Sequence, residues 1–68
     1  MTEHVTLTPA EREALRLAAR RRGLRLKDIA RLVGVDPHLL ARYRCGERRP
    51  PATVLDAWRR VLGMPRKD

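Results

Sequence analysis

Between Pro37 and Cys45 a proline, a histidine, an alanine and an arginine fall at 37, 38, 41 and 42. On a helix that spacing gathers them on one stripe and sends Leu40 and Tyr43 to the opposite side. The outward side chains suit the edges of bases. A guanidinium at Arg42 can fork onto O6 and N7 of a guanine, a contact worth about 1–3 kcal/mol of discrimination. His38 can donate to a base acceptor or a phosphate, and its charged form would add a proton-dependent term. Ala41 is small enough to let the helix approach the groove floor and meet a thymine methyl, and Pro37 opens the stripe. Pro37, His38, Ala41 and Arg42 are therefore the expected base contacts. The alternatives are plain: a solvated arginine, an idle histidine, and an alanine chosen for helix propensity.

Other chemistries lack parts. The chain has no serine, no glycine-rich phosphate cradle, and carboxylates scattered among arginines that keep them ionised. His4, His38 and Cys45 are too few and too far apart in sequence for a zinc site. No enzyme, metal, cofactor or small-molecule ligand is expected. With Tyr43 and Trp58 the only aromatic residues, a base-stacking platform for single strands is not expected either.

The charge balance points the same way. Sixteen basic residues against eight acidic ones give +8, and fourteen of the sixteen are arginine. The planar guanidinium makes paired hydrogen bonds to phosphate and to base edges, so duplex DNA is the expected partner. Heat adaptation or genome composition competes as an explanation, because Asn and Gln are also missing. Arg25 and Lys27 stand where a helix N-terminus already favours a phosphate. Arg48 and Arg49 sit in a proline-stiffened loop, able to hold the backbone or enter a narrow minor groove. Arg44 can turn outward to a phosphate or pair with Glu47. These five are the expected phosphate contacts, with solvated surface charge as the alternative. Arg20, Arg21 and Arg22 are expected to serve the negative end of their own helix.

The elements that must position these residues are marked by punctuation. Thr8-Pro9-Ala10-Glu11 combines a capping hydroxyl, a proline suited to the first turn and a glutamate that can reach back, so a helix is expected from Pro9 to Arg22. Leu26, Ile29, Ala30 and Val33 recur on one face of a second helix that Gly34 stops. Asp36 and Pro37 start a third, which runs to Arg44 or Cys45 before Gly46. A fourth spans about Ala52 to Leu62, closed by Gly63 and Pro65. Residues 1–7 read as a loose arm, with Val5 and Leu7 able to pack back, and residues 64–68 as a frayed tail. Leu15, Ala18, Leu24, Ile29, Ala30, Val33, Val35, Leu40, Tyr43, Val54, Trp58, Val61 and Leu62 form the expected core. Sixty-eight residues suffice for a single domain. The lone Cys45, the absence of a leader-like start and the lack of an apolar run near 18 residues point to a cytoplasmic protein, nucleoid-associated through DNA binding, with no membrane role.

The spread of Gly23-Leu24, Ile29-Ala30, Leu32-Val33-Gly34-Val35, Asp36, Leu40, Arg42, Gly46, Pro50 and Val61-Leu62-Gly63 resembles the Cro/repressor-like, Xre-type helix-turn-helix DNA-binding family over about Leu15 to Met64. The resemblance implies an all-α, compact four-helix domain of the lambda-repressor-like kind, with a helix-turn-helix at 26–45. It implies a recognition helix, Pro37 to Cys45, in the major groove, braced by Leu26 to Val33, and binding as a homodimer. The chain departs from the pattern where Leu26 replaces a polar residue. It departs again at Ala19 and Arg44, which replace an Arg and Glu pair. It also ends where many relatives add a fifth helix used in dimerisation; the last helix around Trp58 and Arg59 and the loop at Arg48 are candidate dimer seams.

The expected function is a sequence-specific, double-stranded DNA-binding transcriptional regulator, a repressor on a palindromic operator. An antitoxin-type autoregulator, a protein-interaction adaptor that has lost base reading, and sequence-independent compaction of nucleic acid are the alternatives. Neutralising about six phosphates would give a slope of log affinity against log salt near −5.

Overall fold

Thr8 is extended and its hydroxyl accepts the Glu11 N–H at 3.1 Å, while the Glu11 carboxylate accepts the Thr8 N–H at 3.3 Å. This reciprocal cap starts α1 (Pro9–Arg21) where the sequence predicts. The structure, a computed structural model, describes residues 3–64. The tail expected over 64–68 and the first two residues of the arm lie outside that range, Met64 excepted. A second helix, α2 (Leu26–Val33), begins after an extended Arg25 whose N–H is accepted by the Asp28 carboxylate at 3.1 Å. It ends at Gly34, where φ of +88° suits a residue without a Cβ. Two residues later Asp36 accepts the His38 N–H at 2.7 Å and starts α3 (Pro37–Cys45), which stops at Gly46. Proline-rich loop residues then lead into α4 (Ala52–Val61).

The described residues form an all-helical domain of four helices with no strand. Of these, α2 is central, packing most closely against α3 and α4. Leu15 from α1, Ile29 and Ala30 from α2, Leu40 and Tyr43 from α3, and Leu55, Trp58 and Leu62 from the last helix and its cap build the core. Each large side chain buried this way contributes about 1.5–3 kcal/mol. Ala18, Leu24, Val33, Val35 and Val54, expected inside, pack around the rim half-buried, and Val61 is likewise half-buried. Leu55 and Leu7 take central places instead, because α4 presents Leu55 and Trp58 inward and the N-terminal segment is drawn onto the core.

That segment is held more firmly than a loose arm. Val5 N–H donates to the Pro50 carbonyl at 2.8 Å, and the Ala52 N–H donates to the Glu3 carbonyl at 2.7 Å. His4 and Pro51 form an isolated antiparallel bridge there. Pro50 and Pro51 have no N–H of their own, so this pairing uses the Pro50 carbonyl and the Ala52 N–H, while the Pro51 carbonyl accepts the Leu55 N–H at the start of α4.

Two arginines of the first helix segment tie the other helices together. Arg12 Nη1 donates to the Cys45 carbonyl at 2.8 Å, at the end of α3, and Arg22 Nε donates to the Leu62 carbonyl at 2.6 Å, at the end of α4. Helix C-termini leave carbonyls unpaired, and a guanidinium meets both that need and the negative dipole end. Arg22 therefore closes its own helix with its backbone N–H and a distant helix with its side chain. Arg59 of α4 reaches Glu11 at 3.0 Å in a partly buried ion pair, so α1 and α4 are also linked by charge.

Candidate nucleic-acid interface

The two sides of α3 differ as the spacing requires. Leu40 and Tyr43 are buried, whereas Pro37, His38 and Arg42 are exposed and Ala41 is half-exposed between them. The Asp36 cap, the left-handed Gly46 and the Arg12 clamp hold both ends of this helix. Neither His38 nor Arg42 is in an ion pair among the described residues. The stripe therefore presents donors and a small apolar surface outward, with no internal carboxylate to compete for the arginine.

Of the expected phosphate contacts, Arg25, Lys27, Arg48 and Arg49 are exposed. The first two flank the start of α2. Arg48 and Arg49 follow the end of α3, where the N–H groups of Glu47 and Arg48 return to the Arg42 carbonyl at 3.0 and 3.4 Å. Together with His4, Leu39, Tyr43 and Glu47 they line a shallow groove beside α3. The expected sites thus come from three places in the sequence: the start of α2, the outward stripe of α3, and the loop after it.

Arg44 is placed differently. It is half-buried and turned toward α1, lining a cleft with Leu15, Ala19 and Trp58 rather than pairing with Glu47. Arg16, Arg20 and Arg25 line the same cleft. Arg16 had no role expected from the sequence and Arg20 only that of serving its own helix end; their spacing of four on α1 was visible, but their sharing a cleft with Arg44 depends on tertiary packing. Trp58 is 1% exposed, and its indole Nε1 is buried with no hydrogen-bond partner. It belongs to the core, and Arg59 is engaged with Glu11.

Glu13 and Arg16 form a forked, exposed pair with both N···O distances at 2.7 Å. The Arg16 hydrogen bond, followed by the attraction of Arg16 and Arg20, holds the Glu13 carboxyl below its ordinary range. The same bond raises Arg16. Among the described residues no cluster of His, Cys, Asp and Glu is arranged to hold a metal, and no helix is long and apolar enough to cross a membrane. Cys45 is exposed and unpaired with another cysteine. No protein-family model matches the chain, and no curated protein matches it.

Proposed function

We propose that this protein binds duplex DNA sequence-specifically and regulates transcription, acting as a repressor that occupies a palindromic operator as a homodimer. In this reading α2, Gly34 and α3 form a helix-turn-helix, α3 enters the major groove, and α2 crosses the backbone. The carrying observation is the outward stripe of α3. Pro37, His38, Ala41 and Arg42 are accessible on a short helix whose opposite side is anchored in the core and whose flanks carry exposed basic residues. The resemblance to Xre-type domains supports the same reading, and +8 supplies the long-range attraction to a polyanion.

Arg42 forks onto a guanine, His38 and Ala41 read adjacent base edges, and Arg25, Lys27, Arg48 and Arg49 fix the register on phosphates. The half-sites would lie about 34 Å apart, one turn of duplex. Repression follows from occupying DNA that a polymerase needs. The test compares two variants on a selected duplex and on random duplex. Arg42→Ala should weaken the selected site by about ten- to a hundredfold and leave random duplex nearly unchanged. Arg25→Ala should weaken both alike and make the salt slope shallower by about one. Equal losses for both variants on both duplexes would leave sequence-independent compaction as the reading.

A further inference from the structure

The cleft between the C-terminal half of α1, the start of α2 and the end of α3 is a second basic feature, and it does not depend on what α3 reads. Its volume is about 150 Å³, well above the roughly 10–15 Å³ that one water needs. Four guanidinium-bearing residues, Arg16, Arg20, Arg25 and Arg44, line it, and no carboxylate does. Arg16 is committed to Glu13, but Arg20, Arg25 and Arg44 form no ion pair among the described residues. The nearby Asp28 carboxylate is used by the Arg25 backbone N–H. Arg44 is half-buried, and Trp58, whose Nε1 donor is buried and unpartnered, forms part of the same wall.

Like charges gathered around a half-buried cleft repel one another. One acceptor-only anion relieves that repulsion, because its oxygens can take hydrogen bonds from several guanidinium groups, and Trp58 in the wall reports on it. From this we infer that the cleft is a binding site for an oxyanion of the phosphate class, held chiefly by Arg44, Arg20 and Arg25. Either free phosphate or a phosphate of a nucleic-acid backbone has the chemistry to occupy it. Leu15, Ala19, Leu24 and Ile29 close the apolar side, so selectivity for a compact anion comes from shape as well as charge.

The single tryptophan makes the test direct, since its indole N–H gives one isolated signal in a proton–nitrogen NMR spectrum. The full chain is titrated with inorganic phosphate at constant ionic strength, chloride replacing phosphate in the reference, and separately with short random-sequence duplex. Duplex binding itself is followed independently by anisotropy of a labelled strand. A saturable shift of the Trp58 Nε1–H signal with phosphate assigns a free anion to the cleft; a shift with duplex alone assigns a backbone phosphate. Arg44→Met should weaken whichever shift is seen by about ten- to a hundredfold, the size of one charge-assisted hydrogen bond, and Arg31→Met, which removes an equal charge outside the cleft, should leave it unchanged. Arg20→Met, at an exposed position, provides the same comparison if Arg44→Met unfolds the chain. Absence of a saturable shift with both probes, or equal weakening by Arg31→Met and the cleft variants, would overturn the site. Duplex binding by anisotropy without any Trp58 response would overturn the cleft while leaving the DNA reading intact.

Discussion

Replacing Gly46 by alanine separates two effects that act together at the end of α3. The first is backbone conformation: Gly46 has φ of +87°, in the left-handed region, where an alanine costs about 1–2 kcal/mol. The second is space, because a Cβ at Gly46 would fall on the Arg12 guanidinium that donates to the Cys45 carbonyl. The guanidinium is the end of a flexible side chain and can move aside, but moving breaks its bond. That bond lies in an exposed position, so its loss costs about 1 kcal/mol, below the range for buried charged partners. Gly34 supplies the control, with nearly the same φ of +88° and open space where a Cβ would go. Gly34→Ala should therefore cost about 1–2 kcal/mol and Gly46→Ala about 2–3 kcal/mol, a difference worth about 4–8 °C in Tm for a domain of this size. Urea unfolding followed by Trp58 fluorescence and circular dichroism measures both. Arg12→Ala should cost about 1 kcal/mol in the parent chain and almost nothing once Gly46 is alanine. Equal costs at Gly34 and Gly46, with Arg12→Ala fully additive on Gly46→Ala, would refute the clamp.

Arg22→Met should destabilise the domain by about 1–2 kcal/mol, since it strips a partly buried donor from the Leu62 carbonyl; denaturation midpoints report it, and a loss no larger than at exposed Arg21→Met would contradict the capping role. Thr8→Ala should cost about 1 kcal/mol and fray the first turn of α1, visible as faster amide exchange at Glu11. Glu13 should titrate at a lower pH than an unperturbed glutamate and return to the ordinary range in Arg16→Met, as carboxyl chemical shifts would show. Because its folded value is depressed, any stability from this pair is present above the unfolded carboxylate pKa and fades as the pH falls through the folded one. The pair is exposed, so the signature is the titration itself rather than a visible change in unfolding.

The helix boundaries were legible because their signals are local. Thr8 with Glu11, Asp36 with Pro37, and the glycines at 34 and 46 act on backbone within a few residues, and each helix starts or stops where they stand. The inward side of α3 followed from period alone, since Leu40 and Tyr43 could face only one way. Less was legible where long side chains bridge distant segments. Nothing near Arg12 or Arg22 announces that the partners are carbonyls 33 and 40 residues away. Leu7 was legible only as able to pack back, because what holds its segment is a pair of backbone bonds, at Val5 and Glu3, to a proline loop far along the chain. Arg44 was ambiguous for a related reason: a guanidinium at a helix end can turn either way, and only the packed structure shows it lining a cleft with Ala19. The outward placement of Pro37, His38, Ala41 and Arg42 was readable from spacing, whereas the cleft of Arg20, Arg25 and Arg44 exists only after α1 packs beside α2 and α3.

Selection of binding sites from a random duplex library tests the central proposal most directly. Purified protein is incubated with the library at about 150 mM salt, near physiological ionic strength, and the retained pool is sequenced. The expected result is a palindromic motif whose half-sites are centred about ten base pairs apart, with a guanine whose preference disappears in Arg42→Ala. A retained pool with no enriched motif would contradict sequence-specific binding through the outward stripe of α3.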